Sequence, residues 1–220
     1  MAQLGYHVFL GCRDTAKGAA AAAQLRAEGL TALSVIEIDT SNPASVQQAR
    51  RAVAAQTDYL DVLVNNAGIL GVTPQGPSQI DTSAIRQVFD TNFFGVIQTT
   101  QAFIDLLRPS PAPRIVNVSS GLGSLTQHSD PSWMYYNIKS AAYGPSKTAL
   151  NAYTVALAYE LKDTAFKVNS IDPGYTATDF NQHRGTQTIA EGTEAIVRFA
   201  TAGANSPSGK FYDAKGEVPW

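Results

Sequence analysis

Short apolar runs alternate with segments of helical period from one end of the chain to the other, a pattern that predicts an open, mostly parallel sheet with helices on both faces. Residues 7–10 read as a buried strand. Asp14 is placed to cap a helix through the alanine-rich stretch that closes at Gly29. The next strand covers 33–39, and Asn42-Pro43 then gives a cap and a proline at the first helical position of a helix reaching residue 56. A strand follows at 60–65. Asp81 begins a long helix reaching about Leu107, where prolines at 109, 111 and 113 end it. A strand at 114–119 leads into an irregular region at 120–142. The pattern closes with a helix at 143–162, a strand at 166–171, a helix at 189–202 and a short strand at 210–212. So regular a β-α-β rhythm predicts a Rossmann-type, doubly wound α/β fold in a single domain spanning residues 1–220.

Composition narrows the partners. At 220 residues and 44% hydrophobic, the chain can bury one substantial core. With 16 basic against 18 acidic side chains and no run of like charge, there is no electrostatic footprint for nucleic acid or an anionic membrane, so a small molecule is the expected partner. Cys12 is alone, which excludes an internal disulfide. No apolar stretch approaches a membrane span or follows a basic leader, and the expectation is a cytoplasmic protein. His7, His128 and His183 are scattered, without carboxylate or cysteine at ligand spacing, so no metal site is expected.

The candidate chemistry lies at the head of the last long helix, in Tyr143-Gly-Pro-Ser-Lys147. A lysine four residues after a tyrosine lies on the same helical face, so its ammonium can sit near the phenol and favour the phenolate. A second match exists, Tyr135 to Lys139, and it lies nearer to Ser120 in sequence, 15 residues against 23. Context favours the later pair. Tyr143 leads into three further helical turns, whereas Tyr135 sits in a polar segment with Asp130-Pro131 and no helical period.

Asn65-Asn-Ala-Gly68, Asn92, Ile115-Val-Asn-Val-Ser-Ser120, Tyr143-Gly-Pro-Ser-Lys147 and Pro173-Gly-Tyr-Thr-Ala-Thr178 occur in an order and spacing that resembles the short-chain dehydrogenase/reductase family over nearly the whole chain. The irregular stretch before Tyr143 and the Gly-Lys-Phe-Tyr near the end resemble its carbonyl-reductase branch. The resemblance implies an NADP(H)-dependent oxidoreductase that interconverts a small ketone or aldehyde and its alcohol. It makes Tyr143 the general acid or base, and Ser120 the group that holds the carbonyl oxygen. Lys147 would lower the pKa of Tyr143 and bind the nicotinamide ribose. Asn92 would anchor a water chain that resupplies the proton, or else bond a neighbouring backbone group. For the cofactor, Asp39 would accept from the adenine amino group, and the backbone of Asn65, Ala67 and Gly68 would pass beside the adenine ribose. Arg13, with no carboxylate at the Cys12 position, fits a 2′-phosphate and favours NADP over NAD. Pro173, Gly174, Thr176 and Thr178 would hold the nicotinamide carboxamide, although the threonines could instead stabilise only their own turn. Residues 121–142 would flank the substrate pocket, and the protein would be a monomer or a homo-oligomer formed through the long helices.

One departure matters. The family opens with a strand and a Gly-x-x-x-Gly-x-Gly turn that binds the pyrophosphate, and neither is present. The sequence starts like the end of a first helix followed by the second strand, so the expectation is an N-terminally truncated domain with the first strand absent from the middle of the sheet. That predicts a six-stranded sheet with either a closed gap or displaced leading elements between the strands of Val8 and Val62. A module that binds without turnover is the alternative function.

Overall fold

The computed structural model describes residues 1–220. β1 (Val8–Cys12) pairs in parallel with β2 (Leu33–Glu37), Val8 opposite Leu33. A second parallel sheet runs β3 (Val62–Asn65), β4 (Arg114–Val118), β5 (Lys167–Ile171) and β6 (Phe211–Tyr212), in that order. Between them lie α1 (Thr15–Ala27), α2 (Pro43–Ala54), α3 (Thr82–Phe89), α4 (Gly95–Leu107), α5 (Leu125–His128), α6 (Tyr143–Glu160) and α7 (Ile189–Ala200). The caps read from sequence are in place. Asp14 accepts the Ala16 and Lys17 amides, and Asn42 accepts those of Ala44 and Ser45 with Pro43 next to it.

Strand periodicity assigns the two faces of the larger sheet. Ile115 and Val168 pack with Leu107, Leu157 and Leu161 beneath α4 and α6, while Val116 and Ile171 pack with Ala195, Phe199 and Ala200 of α7. A third apolar cluster joins Ile36 of β2, Ala49 and Val53 of α2, and Phe103 and Leu106 of α4. No helix is long and apolar enough to cross a membrane.

Two expectations are corrected and one is refined. The six strands do not form one hydrogen-bonded sheet: β1 and β3 each pair on one side only, and between them lies a cavity of about 980 Å³ lined by both strands. β2 is held against α2 and α4 by the Ile36 cluster. The long helix expected from Asp81 to Leu107 runs that length and contains one π turn at Asp90–Phe94, in which the Gly95 amide bonds the Asp90 carbonyl. Two anchors account for it. Asn92 is pinned to the backbone of Ile69, and Gly95 approaches the Thr40 carbonyl so closely that a Cβ there would lie at 3.0 Å. The 120–142 region is not wholly irregular, since it holds a 3-10 turn at Gly121–Gly123 and the short α5.

Candidate active site

Parallel strands deliver their C-terminal ends to one edge of the sheet, and the residues after β4 and β5 meet the first turn of α6 there. Tyr143 is 9% exposed and Lys147, one turn on, 3%. The Lys147 Nζ lies 5.8 Å from the Tyr143 ring centroid and donates to the Val118 carbonyl at 2.8 Å. Burial pulls the Lys147 pKa down to about 8. It also pushes Tyr143 up to about 12, an effect that the nearby Ser120 hydroxyl opposes and the Asp172 carboxylate reinforces. The expected lowering of Tyr143 by Lys147 is therefore not the dominant effect here, because desolvation of the phenolate outweighs it.

Ser120 ends the strand side of the site, its Oγ accepting the Leu122 amide at 3.2 Å. Ser119, the residue after β4, turns into the protein and donates to Asn151 Oδ1 at 2.7 Å. Tyr135 and Lys139 are not brought together on a helix. Lys139 donates to the His128 carbonyl and lies over the Tyr136 ring, while Tyr135 packs edge-on against Trp133.

Asn92 is fully buried. Its Oδ1 accepts the Ile69 amide at 2.8 Å, and its Nδ2 donates to the Ile69 carbonyl at 2.9 Å and to Ser146 Oγ at 3.0 Å. The side chain thus takes the backbone-bonded arrangement that the sequence left open, and it ties the loop after β3 to α6. Gly68 sits between the two: a Cβ on it would stand 3.4 Å from Asn92 Oδ1 and 3.6 Å from Lys147 Nζ.

Arg13, Asp39, Asn65, Ala67 and Gly68 all line the cavity between β1 and β3. Arg13 is exposed and close enough to Asp39 to help hold its carboxylate below the usual range, after the hydrogen bonds from the Ser41 hydroxyl and amide. The Asn65 amide is spent on Thr100 and Asn117, so only its backbone faces the cavity chemistry. Pro173, Gly174, Thr176 and Thr178 form the loop after β5. Gly174 holds φ +71° and donates to Asp172, Thr176 donates to the Pro173 carbonyl at 3.1 Å, and the Thr178 amide donates to Asn181. The Thr176 hydroxyl therefore stabilises its own turn. This loop reaches the site through Phe180, whose ring lies 5.7 Å from that of Tyr143.

Two residues at the site went unread in the sequence. Asp172 is raised by burial and accepts the Gly174 amide at 2.9 Å. Gln75 reaches the head of α6 from a distant loop. For Gln75 a signal existed: Ala141-Ala142 precedes Tyr143, so the N-cap position of this helix carries no side-chain acceptor, and Ser140 serves only the Gly144 amide.

The model of the short chain dehydrogenase family matches residues 1–188. This protein belongs to that family. The short-chain dehydrogenase described here is 29% identical over 287 residues to the (+)-neomenthol dehydrogenase of Capsicum annuum, with 98% of this chain and 90% of the relative covered. Among solved structures, it superposes on salutaridine reductase from Papaver somniferum with a TM-score of 0.82 at 26% identity, covering 96% of this chain and 92% of that one. The Pseudomonas aeruginosa RhlG/NADP active-site complex gives 0.81 at 26% identity, covering 97% and 87%. No group of three or more His, Cys, Asp or Glu side chains is arranged to hold a metal ion.

Proposed function

We propose that this short-chain dehydrogenase is an NADP(H)-dependent oxidoreductase that interconverts a small ketone or aldehyde and its alcohol, with Tyr143 as the proton donor. The observation that supports it most directly is the meeting of buried Tyr143 and Lys147 with half-buried Ser120 at the C-terminal edge of the sheet. The relatives named above include a neomenthol dehydrogenase and a salutaridine reductase by name, and one solved neighbour is a complex with NADP.

The residues present fit the two ends of a nicotinamide dinucleotide. Arg13, on an exposed rim beside Asp39, suits an adenosine 2′-phosphate. Gly68 leaves open the space that a side chain would fill beside Lys147, whose remaining N–H donors suit a ribose hydroxyl. The middle is less well provided, because no Gly-x-x-x-Gly-x-Gly turn occurs in the sequence. When bound, the dinucleotide supplies the hydride. The chain does the rest. Ser120 holds the substrate oxygen by a hydrogen bond. Tyr143, kept protonated by its raised pKa, gives its proton to that oxygen as negative charge develops there. The Lys147 ammonium, held on the Val118 carbonyl, stabilises the phenolate left behind.

The open cavity between β1 and β3 favours one second reading, a domain that binds small molecules with little turnover. Tyr143→Phe and Tyr135→Phe separate the two in an NADPH-coupled reduction of benzaldehyde. The enzyme reading expects a loss on the order of a hundredfold for Tyr143→Phe and little change for Tyr135→Phe. Equal losses would remove Tyr143 from its role, and no NADPH-dependent turnover by either variant or the parent would favour the binding module.

A further inference from the structure

The helix that presents Tyr143 is capped from two places. Its N-cap residue is Ala142, which offers no side-chain acceptor, and the first turn of any helix leaves backbone amides unpaired. Those amides are buried here, so an unmade bond is costly. Ser140, just before the helix, accepts the Gly144 amide at 2.9 Å. The acceptor for the Tyr143 amide comes from a residue 68 positions earlier in the chain. Gln75 Oε1 accepts the Tyr143 amide at 3.0 Å and the Ala142 amide at 3.3 Å, while the Gln75 backbone carbonyl accepts the Ala141 amide at 3.1 Å. Its Nε2 donates to the Leu70 carbonyl at 2.7 Å, which fixes the orientation of the carboxamide and leaves the oxygen facing the helix. Gln75 is itself 7% exposed.

Leu70 follows directly on Ile69, the residue that Asn92 grips through both its amide and its carbonyl. The loop after β3 is therefore clamped twice, by Asn92 from the π turn and by Gln75 from within, and the second clamp ends on the backbone of Tyr143. We propose that Gln75 is a positioning residue for the Tyr143 phenol: by capping α6 from across the site, it fixes the first helical turn against the loop that carries Gly68 and so sets where the proton donor stands. This rests on the reading of Tyr143 as the acid. A displacement of a donor by a fraction of an ångström costs turnover far more than it costs binding, because reacting atoms must be aligned while a bound ligand can adjust.

The test compares Gln75→Met, which keeps the length and removes the acceptor, with Gln75→Glu, which keeps an acceptor at the helix N-terminus. Steady-state reduction of benzaldehyde by NADPH and the ring-carbon resonances of isotope-labelled tyrosine are read for both, with Tyr143→Phe assigning the signal. Gln75→Met is expected to lower kcat about tenfold with KM for NADPH and benzaldehyde nearly unchanged and to move the Tyr143 resonance, and Gln75→Glu to restore most of both. A Gln75→Met protein that melts earlier yet keeps its kcat and its Tyr143 resonance would overturn the proposal. So would a Gln75→Glu protein as impaired as Gln75→Met, since the acceptor would then not be what matters. If Gln75→Met does not fold, Gln75→Glu decides alone: retention of the Tyr143 resonance supports the cap, and its displacement refutes it. If Tyr143→Phe keeps full turnover, the acid assignment fails, while the resonance in the Gln75 variants still decides the cap.

Discussion

Replacing Lys147 by methionine should change the stability of this protein by an amount that depends on pH. Lys147 is buried among Tyr143, Gly68 and the end of β4, and its pKa falls from 10.5 to about 8. Below the lower value both folded and unfolded chains carry the proton, and the folded state bears the full cost of a buried ammonium, about 3 kcal/mol for that displacement. Between the two values the unfolded chain keeps its proton and the folded chain loses it. Raising the pH through that window therefore favours the folded state. From about pH 7 to about pH 9.5 the recovered stability is about 2 kcal/mol, and the methionine variant, which has nothing to titrate, should not show it. Urea unfolding followed by the fluorescence of Trp133 and Trp220 at both pH values gives the comparison. The prediction concerns the difference between the proteins, so other groups that titrate alike in both cancel. A wild-type advantage that stays constant across the interval would mean that Lys147 is not depressed, and the electrostatic account of the site would fall with it. At neutral pH the variant also loses the donor to the Val118 carbonyl, which offsets part of what is gained by removing the charge.

Two other outcomes are expected. Arg13→Ala should weaken NADPH binding by about 1.5 to 3 kcal/mol in a fluorescence titration and leave NADH nearly untouched, and an equal effect on both would show that Arg13 does not read a 2′-phosphate. Because no Gly-x-x-x-Gly-x-Gly turn occurs in the 220 residues, NADPH binding by this protein should be weak, and submicromolar binding in the same titration would show that other groups serve the pyrophosphate.

The order of elements was legible because strand and helix periods differ and because the boundaries carry local signals. Asp14, Asn42-Pro43 and the prolines after Leu107 act within a few residues of themselves, and each ended or began an element close to where the sequence placed it. The choice of Tyr143 over Tyr135 rested on the same local information, the helical run behind one and its absence behind the other. What escaped reading depends on partners far away in sequence. The π turn arises from contacts of Asn92 with Ile69 and of Gly95 with Thr40, and no period within 81–107 reports them. Phenolate formation by Lys147 followed from helical spacing, but spacing says nothing of burial, and burial decides the direction of the Tyr143 shift. Gln75 reads as a loop residue between Pro74 and Gly76 until the unpaired Tyr143 amide at the start of α6 is set beside it.

The cavity between β1 and β3 has a mechanical consequence. Without a ladder across it, the ribbon of β1 and β2 with α1 is joined to the larger sheet chiefly through side-chain packing of α2 on α4, which can slip or open without breaking a strand pair. Arg13 and Asp39 follow the two strands of that ribbon. Ser120, Tyr143 and Lys147 belong to the four-stranded sheet and α6. A dinucleotide reaching from one to the other would act as a tie rod, and part of its binding free energy would go into holding at a fixed separation two parts that no strand ladder joins. Amide exchange should then be fastest in the β1–β2 ribbon and slow there when the cofactor is added, with α6 changing least.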